Sequence, residues 1–324
     1  MPHSTVRPDV RAFLDYLNAV PGPRLHQMEP AAARAQYLAM RDLVDAPVGE
    51  LPVMRDLTIP AGGHEIPARL FDARERREPG PAVVFYHGGG FVIGDIDTHA
   101  GFCAEMARVL DMPVVSIGYR LAPEHRWPAA PDDAETAARW VATSPGALDR
   151  NVTGLVLAGD SAGGTLTIVT AMALRDDPAT VPVLAQFCIY PAADLRERYR
   201  SQDLFESGFL LTKESLDWFG DAYQADIGHL RASPLAGDMH GMPPALVLTA
   251  GLDPIRDQGR AYAARLIEAG VPVVFREAKG TIHGFITLRR AIPSAVGDVA
   301  GALAALRPIL AEAEGGRVMA QAAG

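Results

Sequence analysis

From residue 82 onward, six short apolar runs alternate with stretches of helical spacing, and no other feature of the chain constrains its fold as much. The runs cover residues 82–86, 113–117, 154–158, 183–190, 245–249 and 271–275. Helical spacing occupies residues 100–110, 132–141, 163–174, 257–269 and 294–313. Runs that are apolar throughout, rather than at every second position, predict strands buried on both faces. Strands separated by helices predict an α/β architecture: a mostly parallel central sheet flanked by helices. Ahead of this pattern, residues 51–60 and 65–71 are joined by Ala61-Gly62-Gly63 and predict a hairpin at the sheet edge.

Two segments stand outside the alternation. Near the N-terminus, Phe13, Leu14, Leu17 and Val20, then Tyr37, Met40 and Val44, recur at helical spacing, with a break at Pro21-Gly22-Pro23. Between residues 195 and 230 no strand pattern occurs, yet Tyr199, Phe205, Phe209, Trp218, Phe219 and Tyr223 crowd there. A long aromatic insertion inside a compact domain predicts a lid or binding element. The tail, residues 311–324, is small-residue and weakly patterned, which predicts fraying.

Composition excludes several function classes. With 30 Lys plus Arg against 39 Asp plus Glu, the net charge is −9, and no basic run exists. Neither nucleic acid nor an anionic membrane is expected as the main partner. Cys103 and Cys188 form no C-x-x-C pair, which removes a disulfide framework and a cysteine zinc site. The longest uncharged stretches have 16 residues and contain proline, so no spanning helix is predicted. Arg7, Asp9, Arg11 and Asp15 interrupt the position of a secretory leader, and the cytoplasm is the expected location.

The chemistry-bearing signals lie at strand ends. Gly159-Asp160-Ser161-Ala162-Gly163-Gly164 fits G-x-S-x-G, with an apolar strand before it and a helix after it. A nucleophile on so sharp a turn needs small neighbours two positions away, and the helix N-terminus then offers N–H groups to developing negative charge. Alone, the pattern also fits a glycine-rich turn with a surface serine. His87-Gly88-Gly89-Gly90, placed after the strand at 82–86, argues for the nucleophile: consecutive glycines let backbone N–H groups approach an oxyanion. A dinucleotide loop would need G-x-G-x-x-G and an acidic ribose partner, both missing. His87 has no second metal ligand at i+4, and its imidazole is expected to brace the loop.

A nucleophilic serine needs a base, and the base an orienting acid. Of nine histidines, His3 and His26 lie in the N-terminal arm, His64 in the hairpin turn, His99 at the start of a helix, His125 among prolines, and His229 and His240 around the end of the insertion; His283 alone comes just past the last strand. Asp253 ends the preceding strand, where parallel sheets collect their sites; Asp257, one helical turn on, competes less well. The order Ser161, Asp253, His283 is the α/β-hydrolase order.

With Tyr119-Arg120-Leu121-Ala122-Pro123-Glu124, Asp253-Pro254-Ile255-Arg256-Asp257 and His283-Gly284-Phe285, these motifs resemble the hormone-sensitive-lipase-like family of bacterial carboxylesterases over about residues 65–305. The resemblance implies an α/β-hydrolase fold with a helical cap: residues 1–50 as N-terminal cap helices, 51–194 and 231–324 as the two parts of the core, 195–230 as the cap insertion. It implies Ser161 as nucleophile, Asp253 as acid and His283 as base, with the N–H groups of Gly89, Gly90 and Ala162 as oxyanion donors and His87 and Gly88 in support. Phe91, Asp160, Trp218, Phe219 and Ile282 are the expected substrate-pocket residues. Thr165 departs from the family, which usually has Asn there. The expected activity is hydrolysis of short- to medium-chain esters through an acyl-enzyme, with no metal and no cofactor. The expected partner is a small-molecule ester, without nucleic acid or membrane insertion, and a homodimer stays open. An amidase or peptidase shares such a triad. The plant gibberellin receptor resembles these esterases but lacks the catalytic histidine, which this chain retains.

Overall fold

A computed structural model describes residues 5–323; His3 and Gly324 lie outside them. Eight strands form one sheet in the order β1-β2-β4-β3-β5-β6-β7-β8. They are β1 (Val53–Pro60), β2 (Glu65–Asp72), β3 (Gly80–Tyr86), β4 (Val114–Ile117), β5 (Val152–Asp160), β6 (Val183–Ile189), β7 (Ala245–Leu252) and β8 (Val273–Ile282). The β1–β2 hairpin pairs antiparallel, as does β2 with β4; every other neighbour is parallel. This is the mostly parallel sheet that the alternation predicts.

Strand residues alternate between two cores. Val83, Phe85, Val156, Ala158, Leu246 and Leu248 face one side, packed with α3 (Ala100–Leu110), α9 (Ser294–Ala323) and Val10, Phe13 and Leu14 of α1 (Pro8–Ala19). Val84, Tyr86, Leu155, Leu157 and Val247 face the other, under α4 (Ala129–Ala142), α5 (Ala162–Asp176) and α8 (Arg256–Glu268). The direction of winding reverses between β3 and β5, so the loops after these two strands diverge and leave a crevice at their carboxyl ends. The glycine run follows β3 there, and Ser161 follows β5.

Two expectations are corrected. The described part of the tail is helical: α9 continues to Ala323, in keeping with the high helix propensity of its alanines. β8 runs to Ile282, well past the predicted end at residue 275. As an edge strand it is solvated on one side, and Arg276, Glu277 and Lys279 interrupt the apolar run without ending the strand. Among the described residues, α9 alone is long and apolar enough by length and composition to cross a membrane. Its Ala295, Val299, Ala302, Leu303 and Leu306 are instead buried in the core.

The outlying segments fold as helices: α2 (Pro30–Val44), a 3₁₀ turn at Leu25–Gln27, α6 (Arg200–Leu204) and α7 (Lys213–Tyr223). Arg34 fastens α2 to the turn beyond the glycine run, donating to the carbonyls of Val92 and Ala122, both at 2.7 Å, and to Glu124.

Candidate active site

Ser161 sits between β5 and α5 with φ 54° and ψ −117°, a region that costs an L-residue about 1–3 kcal/mol. The strand and helix on either side hold it there, helped by its N–H bond to the Ile189 carbonyl at 2.9 Å. The elbow needs glycine at 163, because a Cβ there would stand 1.9 Å from the Tyr86 carbonyl oxygen. Thr165 donates to the Ala192 carbonyl at 2.6 Å and so serves helix packing.

β7 and β8 deliver the other two groups directly. Asp253 follows β7 and His283 follows β8, and the strands pair as parallel neighbours. His283 Nε2 lies 2.9 Å from Ser161 Oγ, and its Nδ1 lies 2.7 Å from Asp253 Oδ2. Asp253 is fully buried, and its other oxygen accepts the Ile255 N–H at 2.9 Å. These partners assign the proton to Nδ1 and leave Nε2 to accept from the serine hydroxyl. Asp257 is engaged elsewhere, with Arg256 at 2.8 Å, Arg260 at 3.2 Å and the Ser201 N–H at 3.0 Å. The arrangement can therefore take the proton from Ser161 and hold the resulting imidazolium beside a carboxylate.

Gly89, Gly90 and Ala162 line the same cavity as Ser161 and His283. Ala162 opens α5, so its N–H has no carbonyl four residues back and is available to an oxyanion. Gly90 has φ +60°, and a Cβ there would meet the Phe219 ring at 2.3 Å. His87 braces the loop from below. Its Nδ1 lies 2.8 Å from the Gly88 carbonyl oxygen, and its ring stacks on Tyr119 at 4.3 Å. Burial, with His99 nearby, pushes the His87 imidazole down to about 4, so it is neutral in the working range.

The cavity measures ≈ 230 Å³. Of the expected pocket residues, Phe91, Trp218 and Phe219 line it, and Asp160 lies at its floor with the carboxylate accepting the Gly88 N–H at 2.7 Å. Ile282 is a correction: it is fully buried in the core beside α9. Successive strand residues point to opposite faces, and the residue before His283 must turn away from it. The structure adds Leu25, His26 and Tyr37 from the N-terminal segment and Leu210, Leu211 and Leu216 from the insertion. Nothing in the spacing of these residues distinguishes them from ordinary core positions. Among the described residues, no group of three or more His, Cys, Asp or Glu is placed to hold a metal ion.

A family model described as the alpha/beta hydrolase fold matches residues 83–287. The carboxylic ester hydrolase LipN of Mycobacterium tuberculosis is 41% identical over 273 residues, covering 79% of this chain and 70% of that protein. The ethyl acetate hydrolase of Pseudomonas putida is 34% identical over 302 residues, covering 90% and 95% respectively. Among solved structures, an ester hydrolase from the metagenome of Lake Arreo, complexed with a bipyridine phosphonate derivative, superposes with a TM-score of 0.89. It is 38% identical and covers 94% of this chain and 99% of that one.

Proposed function

The chain belongs to the α/β-hydrolase family, and from that premise we propose that it is a serine carboxylesterase acting on soluble esters of short to medium acyl chain. The observation that carries this reading is the 2.9 Å approach of His283 Nε2 to Ser161 Oγ inside an apolar cavity. In the first step His283 Nε2 takes the proton of Ser161 Oγ as that oxygen attacks the ester carbonyl. The oxyanion is stabilised by the N–H groups of Gly89, Gly90 and Ala162. Collapse of the tetrahedral intermediate breaks the ester bond, and the departing alkoxide takes the proton from His283. A water then attacks the acyl-Ser161 carbonyl while His283 takes its proton, and the proton returns to Ser161 Oγ as the acid leaves. Asp253 keeps the imidazole in the useful tautomer and compensates its positive charge.

The described part of residues 1–50, together with 195–230, acts as a cap over this site, on the core formed by 51–194 and the described part of 231–324. Leu25, His26 and Tyr37 from the first cap segment and Trp218 and Phe219 from the second line the cavity in which the ester would sit. At ≈ 230 Å³ the cavity is smaller than the ~300–1,000 Å³ of most ligand pockets, which favours short chains. The test is a series of p-nitrophenyl esters of increasing acyl length run beside the matching anilides, with Ser161→Ala as control. Ester hydrolysis that Ser161→Ala abolishes is the expected result; equal or better turnover of the anilides would replace the esterase by an amidase.

A further inference from the structure

Below the glycine run lies a second buried acid–base pair that acyl transfer itself does not use. Asp160 precedes the nucleophile but turns its carboxylate away from it, under the loop. There Oδ1 accepts the Gly88 N–H and stands 3.2 Å from His99 Nε2, while Oδ2 accepts the Tyr190 hydroxyl at 3.3 Å. His99 is 1% exposed and Asp160 4%.

The protonation of His99 follows from its neighbours. The Thr98 hydroxyl donates its one proton to the Asp95 carbonyl at 2.8 Å and accepts the Asp95 N–H at 2.9 Å. With the hydroxyl proton placed on that carbonyl, Nδ1 of His99, 2.9 Å from the hydroxyl, is assigned as a donor. Nε2 faces the Asp160 carboxylate at 3.2 Å and is assigned as a donor too. With a proton assigned to each nitrogen, His99 is read as an imidazolium.

The loop above is held peptide by peptide. In the 87–88 peptide, the carbonyl accepts the Tyr119 hydroxyl at 2.7 Å and the N–H is given to Asp160. In the 88–89 peptide, the carbonyl accepts from His87 Nδ1. A peptide is planar, so fixing the Gly88 carbonyl fixes the opposed N–H of Gly89, the candidate oxyanion donor. We propose that His99 and Asp160 are positioning residues, a buried ion pair that sets the aim of the Gly89 N–H through Gly88. The role rests on the esterase reading given above, whereas the charge on His99 does not. Burial works against both ions, yet Asp160 raises the His99 imidazole above its ordinary value and His99 lowers the Asp160 carboxyl below its own, which agrees with the geometry.

Two measurements test this. The first is the ¹⁵N spectrum of the histidine-labelled protein, with the His99 signals identified by their loss in His99→Gln. At pH ~6.5, where an ordinary imidazole is half charged, both His99 nitrogens should carry protons in more than half of the molecules. A neutral His99 would overturn the proposal whether or not any ester is turned over. The second is kinetic, on His99→Gln and, should that variant not fold, on Asp160→Asn. kcat should fall by about 10- to 100-fold, less than the ~10²–10³ lost with a single oxyanion donor, because the Gly89 N–H is misaimed rather than removed, with KM within about twofold. Affinity for a trifluoromethyl ketone, whose adduct with Ser161 bears the oxyanion, should fall by the same factor. A rise in KM alone, or unchanged affinity for the ketone, would overturn the positioning role in an enzyme that still hydrolyses esters. A wild-type protein inert to every ester would instead overturn the esterase reading.

Discussion

Arg289 and Asp45 form a two-pronged ion pair at 2.8 and 2.9 Å, both side chains at most 4% exposed, although 244 residues separate them in sequence. The contact joins the end of α2 to the segment that follows His283. Beside it, the N–H groups of Arg290 and Ala291 bond the Val44 carbonyl at 3.0 and 2.9 Å. The N-terminal segment therefore holds the histidine loop as well as the pocket wall. Asp45→Ala leaves a buried guanidinium without its counter-ion and should lower the unfolding free energy by about 3–5 kcal/mol in urea titrations. Asp42→Ala, at an exposed pair with Arg41, should cost far less, because solvent screens that pair. Similar costs for the two would contradict the anchoring role.

The orienting acid can be tested by comparing two carboxylates four residues apart. Asp253→Asn reverses the tautomer demanded of His283 and should reduce kcat by about 10⁴. Asp257→Asn disturbs a partly exposed pair with Arg256 and Arg260 and should leave kcat within about tenfold. Steady-state kinetics on one soluble ester decides between them, and the reverse order of severity would move the acid to Asp257.

The sheet was legible from its apolar strands, and Ser161, Asp253 and His283 were legible because each follows a strand within a short motif containing glycine. Gly163 against the Tyr86 carbonyl answers a steric demand, and any side chain there would clash. What stayed hidden depends on long-range packing. His99 reads in sequence as the start of a helix, and its charge comes from Asp160, 61 positions away. Tyr37 has the spacing of a core residue and reaches the pocket because Arg34 and Asp45 dock its helix. Ile282 could have been placed correctly, since strand alternation turns the neighbour of a pocket-facing histidine to the opposite face of the sheet. The end of β8 could not, because its polar residues are those of an edge.

Phe219 covers Gly90 so closely that the ring forms the ceiling of the oxyanion loop. Replacing it by alanine removes that ceiling and lengthens the cavity toward α7. In Phe219→Ala the preferred acyl chain should become longer, and the ratio of kcat/KM for p-nitrophenyl decanoate over butyrate should rise by at least about fourfold. That is the worth of one further buried CH₂ at ~0.8 kcal/mol. A uniform loss on all chain lengths would mean that Phe219 supports the loop without limiting the pocket.

Two buried histidines whose rings lie 5.7 Å apart, His87 and His99, should impose opposite pH dependences on stability. Burial depresses His87 from 6.5 to about 4, so the unfolded chain takes up this proton first as pH falls. Its contribution is complete above pH 6.5 and is lost on the way down to about 4, at no more than about 1.4 kcal/mol per pH unit, or about 3 kcal/mol in all. His99 is raised, through Asp160 and against its burial, so its contribution is complete below pH 6.5 and is lost as pH climbs through the raised value. Urea unfolding of the wild type, His87→Gln and His99→Gln across pH 4 to 9 (about five units) separates the two. His87→Gln should flatten the acid limb of stability against pH, and His99→Gln should cost most below pH 6.5 and less in alkali. If His99→Gln were instead most costly at high pH, His99 would be a neutral ring in the folded protein, and the ion pair beneath the loop would have to be abandoned.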